Sequence, residues 1–494
     1  MKNKLIVIEC LKNYEWLNRQ IIPEIRSKYR SDLLLICGSK QSADFWQGYL
    51  KPGEQMIIVD ELAETSKPNL LPIEEAKKRI ANFEREMRTS FFSDILQQSR
   101  GHFSQFVPYI VERRIGSADY NSAVIEAARR IEQIDTIFSN NDINFLYVRP
   151  GGFLSTLLII RAEKIGVPVT FVRPSRYKSL FNWTCGPYSD GRYLSHHMRN
   201  ISDVSVDNYV ISHANSDVKI KLKGLSRSHS LIPSLKTFAL IFINHLLHSL
   251  SQWKRFRLYK GLGLFAQLEL FFVQKWTLHW LSKNSTPKEV ILKSQYFLFL
   301  LPVEPEFTVN SLGRSFCDVK SLIWNIAIRL PIDCHLVIKE HAKFGYRKMD
   351  FYEDLLRLPN VFLAGINIPG SDLVEHSSGV FSIAGTSPLE AGMFGIKSII
   401  FSDSVEYDRL SFVRRCVSMS SLAGDIREHF FSERCSKDDI VKETKCYLMA
   451  LESLSFTVNN STVFGGSNDD LIDVPRVLKL LDSCISYQRE KHNV

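Results

Sequence analysis

Four short apolar runs separated by helical segments occupy the part of the chain that most limits its fold. They span 334–338, 361–363, 380–383 and 398–401. These runs are mostly apolar and lack a regular alternation with polar residues, which is typical of strands buried on both faces of a parallel sheet. Parallel strands need long crossover connections, and the intervening helical segments supply them. The pattern therefore predicts an α/β unit whose strand carboxyl ends share one edge.

The N-terminal part of the chain repeats this pattern. Apolar runs at 5–9, 33–37, 55–59, 144–148 and 167–172 alternate with helical segments at 16–29, 73–98, 120–138 and 153–165. In the C-terminal part, a further strand is predicted at 296–301 and a helix at 315–327. A chain of 494 residues is too long for one ordinary core, so we expect more than one domain.

The predicted fold is thus α/β, with two Rossmann-like lobes, a helical connector and a helical C-terminal tail. The predicted bounds are 1–215 for the N-terminal lobe, 216–284 for the connector, 285–425 for the C-terminal lobe and 426–494 for the tail. Beyond Arg409 the pattern is largely helical, with helices expected at 439–454 and 473–489.

Composition favours a soluble cytoplasmic protein. The hydrophobic fraction of 45% and the charged fraction of 23% are ordinary for a globular chain. The first residues lack the features of a signal peptide, and no uncharged run reaches the ~20 residues of a membrane span. The nine cysteines include no CxxC pair, which predicts free thiols in a reducing compartment.

The connector is strongly basic. Residues 217–260 hold nine lysines and arginines against one acid, Asp217, with aromatic residues such as Trp253 and Phe256 among them. One interpretation is a surface that binds anionic lipid at the inner membrane, making the protein peripheral there. The other is a helical connector with aromatic residues in the core and a solvated basic face. No nucleic-acid-binding module accompanies the charge, so nucleic acid is not an expected partner.

A tight turn opens the last helix of the C-terminal lobe. It reads Gly385-Thr386-Ser387-Pro388-Leu389-Glu390. Ser387 fits the N-cap and Glu390 the third helical position, which predicts a capping box. Free N–H groups at such a helix start also suit a phosphate. Glu390 therefore has two open interpretations: it closes the cap, or it accepts hydrogen bonds from ribose hydroxyls.

Charged residues end two other strands of this lobe. Lys339, Glu340 and His341 follow one strand, and side-chain alternation would place the lysine and the histidine on one side, where they could neutralise a diphosphate. Glu304 and Glu306 follow another strand and could act as a base or orienting groups. A solvated strand end and a solvated loop remain open as the respective alternatives.

Two strands of the N-terminal lobe end in arginine. Arg149 and Arg173 are candidates for the cleft or the acceptor site, with ordinary surface-loop arginines as the alternative. The sequence has no GxGxxG, GxxxxGK[ST], GxSxG or HExxH motif, and no DxD pair in a metal-binding context. We therefore expect no metal site and no cofactor.

The combination of these motifs resembles a known family. From about residue 296 to 407 the chain is similar to the capsular and surface polysaccharide glycosyltransferases related to Kdo transferases, which have the GT-B fold. Two positions depart from the family pattern, because Ala342 and Ser398 stand where proline is usual. The matching segments are Pro305-Glu306, Lys339-Glu340-His341, Gly345-Tyr346-Arg347, Phe351-Tyr352, Pro359-Asn360-Val361, Gly385-Thr386, Glu390-Ala391 and Gly395-Ile396-Lys397.

This resemblance implies a metal-independent transfer from a nucleotide-sugar in the C-terminal lobe to an oligosaccharide or lipid-linked acceptor in the N-terminal lobe. CMP-Kdo is the first expectation for the donor and a UDP-sugar the second. His341 would stabilise the leaving phosphate, and a base or nucleophile would come from Glu306 or from the N-terminal lobe. The implied donor-binding residues are Lys339, Glu340, Gly385, Thr386, Ser387 and Glu390.

Two other functions stay open at this point. One is a sugar-nucleotide epimerase of the same architecture. The other is a non-catalytic partner in polysaccharide assembly with a degenerate donor site, which the replacement at Ala342 keeps open.

Overall fold

The computed structural model describes most of both predicted lobes. The described residues are 3–59, 71–90, 120–151, 153–175, 177–178, 180–187, 191–211, 243, 264–304, 308–341, 347–403, 405–432, 435–458 and 471–492. The basic segment 217–260, apart from Ile243, lies outside them, as do Glu306 and the C-terminal part of the helix predicted at 73–98.

The N-terminal lobe contains seven strands and seven helices among its described residues. The strands are β1 (Asn3–Cys10), β2 (Asp32–Cys37), β3 (Gln55–Ile58), β4 (Asn141–Tyr147), β5 (Val169–Thr170), β6 (Val172–Pro174) and β7 (Leu180–Trp183). The helices are α1 (Glu15–Tyr29), α2 (Lys40–Trp46), α3 (Ile73–Met87), α4 (Tyr120–Asn140), α5 (Phe153–Ile165), α6 (Arg192–Met198) and α7 (Asp203–Asn208).

The first five strands form one parallel sheet in the order β3-β2-β1-β4-β5. The chain moves outward from β1 to β3 and then crosses to the other side of β1, so the direction reverses between β1 and β4. Open α/β sheets bind ligands in the crevice at such a reversal, beyond the carboxyl ends of the strands. The predicted Rossmann-like lobe is confirmed.

The single strand predicted at 167–172 is wrong. The chain pairs with β4 through Val169 and Thr170 only. It then leaves that sheet, and β6 pairs antiparallel with β7 in a second sheet. The sequence shows no sign of the break, because the buried residues Val169, Thr170 and Val172 continue the pattern of a buried strand across it.

The C-terminal lobe has the more regular sheet. Its strands are β8 (Tyr296–Leu300), β9 (His335–Lys339), β10 (Val361–Ala364), β11 (Gly379–Ser382), β12 (Ser398–Ile400) and β13 (Val413–Arg415). The helices up to this point are α8 (Leu264–Asn284), α9 (Lys288–Lys293), α10 (Val319–Ala327), α11 (Met349–Leu356), α12 (Gly370–Glu375) and α13 (Ser387–Met393). A π-helical turn, Thr308–Leu312, precedes α10.

All six strands are parallel, in the order β10-β9-β8-β11-β12-β13. This is the Rossmann strand order, and its reversal lies between β8 and β11. The largely helical pattern expected beyond Arg409 missed β13, whose residues Val413–Arg415 carry two exposed arginines and therefore lack an apolar run.

The remaining elements follow the C-terminal sheet, and all but the first of them contact residues of the N-terminal lobe. They are α14 (Leu422–Phe430), α15 (Lys437–Ser453), β14 (Ser455–Thr457) and α16 (Val474–His492). Strand β14 pairs with β7 and so completes a three-stranded antiparallel sheet with residues of the N-terminal lobe. Helix α16 buries Val477, Leu481 and Ile485 in the same core as Trp16 and Ile21 of α1. The predicted helical tail is thus divided between the two lobes.

Two further features concern the whole chain. All nine cysteines are free thiols, although the sulfur atoms of Cys185 and Cys484 lie 2.9 Å apart. Within the described ranges, no helix is long and apolar enough to cross a membrane.

Candidate functional site

The carboxyl edge of the C-terminal sheet brings together the residues that the sequence singled out. His341 follows β9, and the turn at Gly385 follows β11. Strands β9 and β11 are the two neighbours of β8 in the sheet. His341 and the turn therefore flank the end of β8, beside the point where the strand order reverses. His341 is exposed there.

A buried network of charges holds the backbone of His341. Arg347 is fully buried, and its guanidinium donates to Glu304 Oε2 at 2.9 and 2.5 Å and to both oxygens of Glu340 at 3.1 Å. Glu340 also accepts hydrogen bonds from the Tyr352 hydroxyl and, at 2.7 Å, from the backbone N–H of His341. Burial and the Glu340 carboxylate raise the pKa of Tyr352 well above its usual value, so the phenol stays a donor.

Glu304 and Glu340 are therefore internal groups of this network. The alternative of a solvated loop is wrong for Glu304, because its carboxylate is fully buried against Arg347. Glu340, which was expected in the donor-binding set, directs its carboxylate to Arg347, Tyr352 and the His341 amide. Its contribution to a ligand site would be to position His341.

Lys339 is also buried, in contrast to His341. Its ammonium donates to the backbone oxygens of Glu340 at 3.0 Å and Ile366 at 3.2 Å. Burial lowers the pKa of Lys339 to about 8, and the nearby Glu340 carboxylate offsets only part of that effect. Lys339 and His341 are therefore not two equivalent cations at the strand end.

The turn after β11 differs in detail from the predicted capping box. Helix α13 starts one residue earlier than expected, so Thr386 is the N-cap and Ser387 is the first helical residue. The Thr386 hydroxyl donates to Glu390 Oε1 at 3.1 Å. Ser387 is buried, and its hydroxyl has no hydrogen-bond partner among the described residues. The capping-box prediction is wrong, because Glu390 is linked to the turn through Thr386 rather than through Ser387.

Two hydrogen bonds fix the backbone of Gly385. Its N–H donates to Ser382 Oγ at 3.1 Å, and its carbonyl accepts a hydrogen bond from the hydroxyl of Tyr407. Tyr407 is buried in the core that the two lobes share. The turn is consequently rigid, with the Thr386 and Glu390 side chains half-exposed at the sheet edge.

In the N-terminal lobe, the matching edge carries Glu9 at the end of β1. Glu9 accepts hydrogen bonds from the backbone N–H of Arg149 at 2.8 Å and from the Ser155 hydroxyl at 3.1 Å. Burial raises the pKa of Glu9, and these hydrogen bonds oppose the shift. The Arg149 side chain is exposed beside it. Since β1 and β4 flank the reversal of this sheet, Glu9 and Arg149 lie at the ligand-binding position of the lobe.

Arg173 instead joins the two lobes. It forms an ion pair with Glu406, a buried carboxylate that also accepts a hydrogen bond from Asn182 Nδ2 at 3.0 Å. Two residues further along, Asp408 accepts a hydrogen bond from the Gly191 N–H at 3.2 Å. The segment that holds Gly385 through Tyr407 is therefore the segment that contacts the N-terminal lobe.

Sequence reasoning missed several of these groups. Glu9 could have been noticed, because it is a carboxylate within the apolar residues of β1. Arg347 was noted only as part of a family motif, and its hydrogen bonds to Glu304 and Glu340 became apparent only from the structure. Tyr407 had no sequence signal, since its partner lies 22 residues away in a turn. Glu306 lies outside the described residues, and its predicted role stays a prediction.

No group of three or more His, Cys, Asp or Glu side chains in the described part of the chain is placed to hold a metal ion. The chemical capacity of the site lies in an exposed imidazole, a rigid polar turn and, on the other lobe, a carboxylate with a raised pKa. Such an arrangement could bind an anionic, polyhydroxylated molecule and remove a proton from a second one.

Some known proteins resemble this chain in structure, at low sequence identity. No family model matches the sequence, and no curated protein matches it. Among solved structures, the chain is similar to the KpsC β-Kdo 2,4 transferase of Thermosulfurimonas dismutans, with 9% identity, a TM-score of 0.33, and coverage of 71% of this chain and 94% of that one.

Two other solved structures are also similar. The calicheamicin glycosyltransferase CalG4 has 10% identity, a TM-score of 0.27, and coverage of 91% of this chain and 95% of that one. The UDP-GlcNAc 2-epimerase of Neisseria meningitidis, bound to UDP-GlcNAc, has 12% identity, a TM-score of 0.26, and coverage of 91% of this chain and 99% of that one. These values are too low to assign an activity. The fold class, two Rossmann-like lobes of the GT-B type, rests on the two parallel sheets and their strand orders.

Proposed function

We propose that this chain is a glycosyltransferase that takes a sugar from a nucleotide-sugar bound at the carboxyl edge of the C-terminal lobe. The observation that carries the proposal is the placement of His341 and the Gly385 turn on either side of the β8 end, with both backbones fixed by buried groups. The order of motifs from 296 to 407, which resembles the Kdo-transferase relatives, supports the reaction class.

The donor, the acceptor and the independence of a metal in this proposal follow from that resemblance. The donor is CMP-Kdo in the first instance and a UDP-sugar in the second, and the reaction needs no metal. The acceptor is a growing bacterial surface polysaccharide or its lipid-linked precursor. The Thr386–Glu390 pair at the turn is our candidate for the ribose contact.

In this scheme each lobe contributes one reacting group. His341 donates a hydrogen bond to the phosphate of the leaving nucleotide as negative charge develops there. Glu9 accepts the proton of the acceptor hydroxyl, and burial, which raises the pKa of Glu9, makes its carboxylate a stronger base than an exposed one. Arg149, exposed beside Glu9, is a candidate for binding the acceptor.

The donor site can be tested by nucleotide binding to histidine variants. Wild-type protein, His341→Ala and His376→Ala are titrated with CMP, UDP and GDP by calorimetry. His376 is the matched control, because it is also exposed but follows helix α12 on the amino side of β11, at the opposite edge of the sheet. We expect at least about tenfold weaker binding in His341→Ala only, which corresponds to one lost charge-assisted hydrogen bond. Equal affinities in all three proteins would contradict the proposed site.

Product analysis separates the transferase from its alternatives. Conversion of a nucleotide-sugar without any acceptor would indicate an epimerase. Nucleotide binding without turnover in the presence of membrane-derived acceptors would indicate a non-catalytic assembly partner. Transfer of label from donor to acceptor is the result that we expect.

We further propose that the segment 217–260 attaches a cytoplasmic enzyme loosely to the inner membrane face. Its excess of basic residues supports this, as do Phe272 and Trp276, which are exposed on the adjoining helix α8. Flotation with vesicles that contain anionic lipid should recover the protein at low salt, and less of it as salt screens the attraction. Absence of binding at low salt would exclude this attachment.

A further inference from the structure

Two cysteine side chains at the core of the N-terminal lobe lie in contact, although they are far apart in the sequence. Cys185 follows strand β7, and Cys484 lies in helix α16. Their sulfur atoms are 2.9 Å apart, and the Cys185 sulfur also lies 3.3 Å from the carbonyl oxygen of Cys484. The sulfur atoms of a disulfide bond are about 2.05 Å apart, so closing this gap takes a movement of less than about 1 Å. The fold therefore holds the two sulfur atoms close to bonding distance.

The surroundings of Cys484 fix the position of its sulfur atom. That atom is 3.1 Å from the carbonyl oxygen of Thr184, and Nε2 of Gln488 donates to it at 3.5 Å. The Gln488 side chain is held in turn, because its Oε1 accepts a hydrogen bond from the N–H of Val169 at 3.0 Å. Cys484 is 0% exposed. Its thiol therefore has a defined place beside Cys185 and no access to solvent.

Cys185, in contrast to Cys484, is only partly buried. It lines a small cleft together with Tyr193 of the N-terminal lobe and Glu406 of the segment that contacts that lobe. A small reagent in this cleft can reach the sulfur of Cys185, whereas the sulfur of Cys484 is closed to it. Because accessible thiols are the ones that oxidants attack, Cys185 is the thiol that reacts first.

A second pair of neighbouring cysteines lacks such access. Cys10 and Cys37 end the adjacent parallel strands β1 and β2, where they are paired in register. Both residues are at most 2% exposed. The two pairs are both formed by neighbours in the fold, and what distinguishes the pair at the cleft is that one member is accessible.

We propose that Cys185 and Cys484 form an oxidation site, at which a small peroxide converts the two thiols to a disulfide bond. The Cys185 thiolate attacks one oxygen of the peroxide, the O–O bond breaks, and Cys185 becomes a sulfenic acid. The Cys484 thiolate then attacks the sulfur of that sulfenic acid, which forms the S–S bond and expels hydroxide. The protein loses two electrons, and these reduce the peroxide. With hydrogen peroxide, the two thiol protons and all atoms of the peroxide leave as two molecules of water.

The disulfide bond would join α16 covalently to the end of β7. In the reduced protein this helix is held by apolar packing and by contacts such as the hydrogen bond from Trp183 Nε1 to the carbonyl of Val477 at 3.0 Å. A bond between residues 299 positions apart also restricts the unfolded chain. We therefore expect oxidation to stabilise the N-terminal lobe. This inference is independent of the proposed function.

The test is peroxide treatment of the reduced full-length protein, followed by alkylation of the remaining thiols and disulfide mapping by mass spectrometry. We expect a linked pair of peptides that contain Cys185 and Cys484, and a protein that is about 2 Da lighter. In a thermal scan the oxidised protein should unfold at least about 3 °C above the reduced protein. Dithiothreitol should abolish this difference.

Two single variants separate the roles of the two thiols. In Cys484→Ser, peroxide should leave Cys185 as a sulfenic acid, which dimedone labels. In Cys185→Ser, Cys484 should remain a thiol, because it is closed to solvent. Cys10→Ala is the matched control, since it removes one member of the buried neighbouring pair. The bond between residues 185 and 484 should form in it as in the wild-type protein, with the same gain in unfolding temperature.

Four results would overturn the site. The first is that Cys185 and Cys484 both stay alkylatable after a peroxide treatment that oxidises the urea-unfolded chain. The second is a sulfenic acid that persists at Cys185 in the wild-type protein, since Cys484 would then be unable to reach it. The third is a disulfide bond from either residue to a different cysteine. The fourth is a bond between Cys185 and Cys484 that lowers the unfolding temperature, because the fold would then oppose the bond.

Discussion

At the scale of single residues, four buried charged side chains of the C-terminal lobe form a balanced set. Arg347 bonds the carboxylates of Glu304 and Glu340. The Lys339 ammonium donates to backbone oxygens near Glu340, and Tyr352 adds a neutral donor. Each group is bonded because an unpaired charge in this position would be costly. Of the three residues from Lys339 to His341, only His341 is exposed.

Replacing the central guanidinium should therefore be strongly destabilising. We expect Arg347→Met to lower the free energy of unfolding by about 3–5 kcal/mol, because both carboxylates lose their main partner. Lys320→Met is the control, since it breaks a partly exposed ion pair with Asp354 in the same lobe and should cost less than about 1 kcal/mol. Urea unfolding measures both. Similar losses of unfolding free energy in the two variants would show that the buried network stabilises the protein no more than a partly exposed ion pair does.

Lys339 should give the protein a distinct pH dependence. Its pKa is lowered to about 8 in the folded state from 10.5, so between these values the unfolded chain binds more protons at this site than the folded chain does. The site's contribution to stability therefore increases from about pH 8 to about pH 10.5, by up to about 3 kcal/mol. Buried thiols such as Cys416, whose pKa burial raises to about 11, act in the opposite direction.

The contribution of Lys339 is isolated by comparing wild-type protein with Lys339→Met across this pH range. The stability difference between them should change with pH in the direction just given. A difference that is constant from pH 8 to 10 would contradict the lowered pKa.

At the scale of elements, the sequence predicted what depends on local pattern. The strands β2, β8 and β9 were found within a residue or two because buried parallel strands are continuous apolar runs. Prediction from the sequence failed where an element depends on a pairing partner that is distant in the chain. Strand β13 is short and half charged, and only its pairing with β12 makes it a strand. The start of α13 moved by one residue, since Thr386 rather than Ser387 bonds Glu390.

The residues of the candidate site also include some that local sequence predicts and some that depend on distant partners. His341 and the Gly385 turn could be predicted, because charged and turn residues at strand ends are visible in the sequence. Glu340 could not be separated from them, as its burial depends on Arg347, seven residues away, and on Tyr352.

Helix α16 should stabilise the N-terminal lobe although it is remote in sequence. Leu481 is fully buried against residues of α1, so we expect Leu481→Ala to cost about 2–5 kcal/mol. Hydrogen exchange should become faster in β1 and β2 and stay unchanged in β8 and β9. Lys479→Ala, an exposed change on the same helix, should have no effect. Faster exchange in the C-terminal sheet alone would refute this assignment.

At the scale of the whole molecule, residues 406–408 connect the two lobes to the candidate donor turn. Glu406 and Asp408 contact Arg173, Asn182 and Gly191 of the N-terminal lobe. Tyr407, between them, bonds the carbonyl of Gly385. The segment 406–408 therefore bonds both the N-terminal lobe and the turn after β11.

A double-mutant cycle measures this connection. Arg173→Met should lower the free energy of unfolding by about 2–4 kcal/mol, because it leaves the Glu406 carboxylate buried without its cation. Adding Glu406→Gln removes the charge and should restore part of the loss, so the two effects are not additive. Lys178→Met, which breaks a more exposed ion pair with Glu452, should cost under about 1 kcal/mol. Additive effects at Arg173 and Glu406 would mean that the two residues are not coupled.

The return of α16 to the first lobe has a consequence for biosynthesis. The core around Trp16 and Ile21 lacks Val477, Leu481 and Ile485 until a ribosome has added more than 400 further residues after β2. At usual elongation rates this takes roughly 20–90 s. The C-terminal sheet draws all its strands from 296–415 and can close earlier. The N-terminal lobe, whose core is incomplete until α16 has been synthesised, is therefore the part of the nascent chain that chaperones would have to protect.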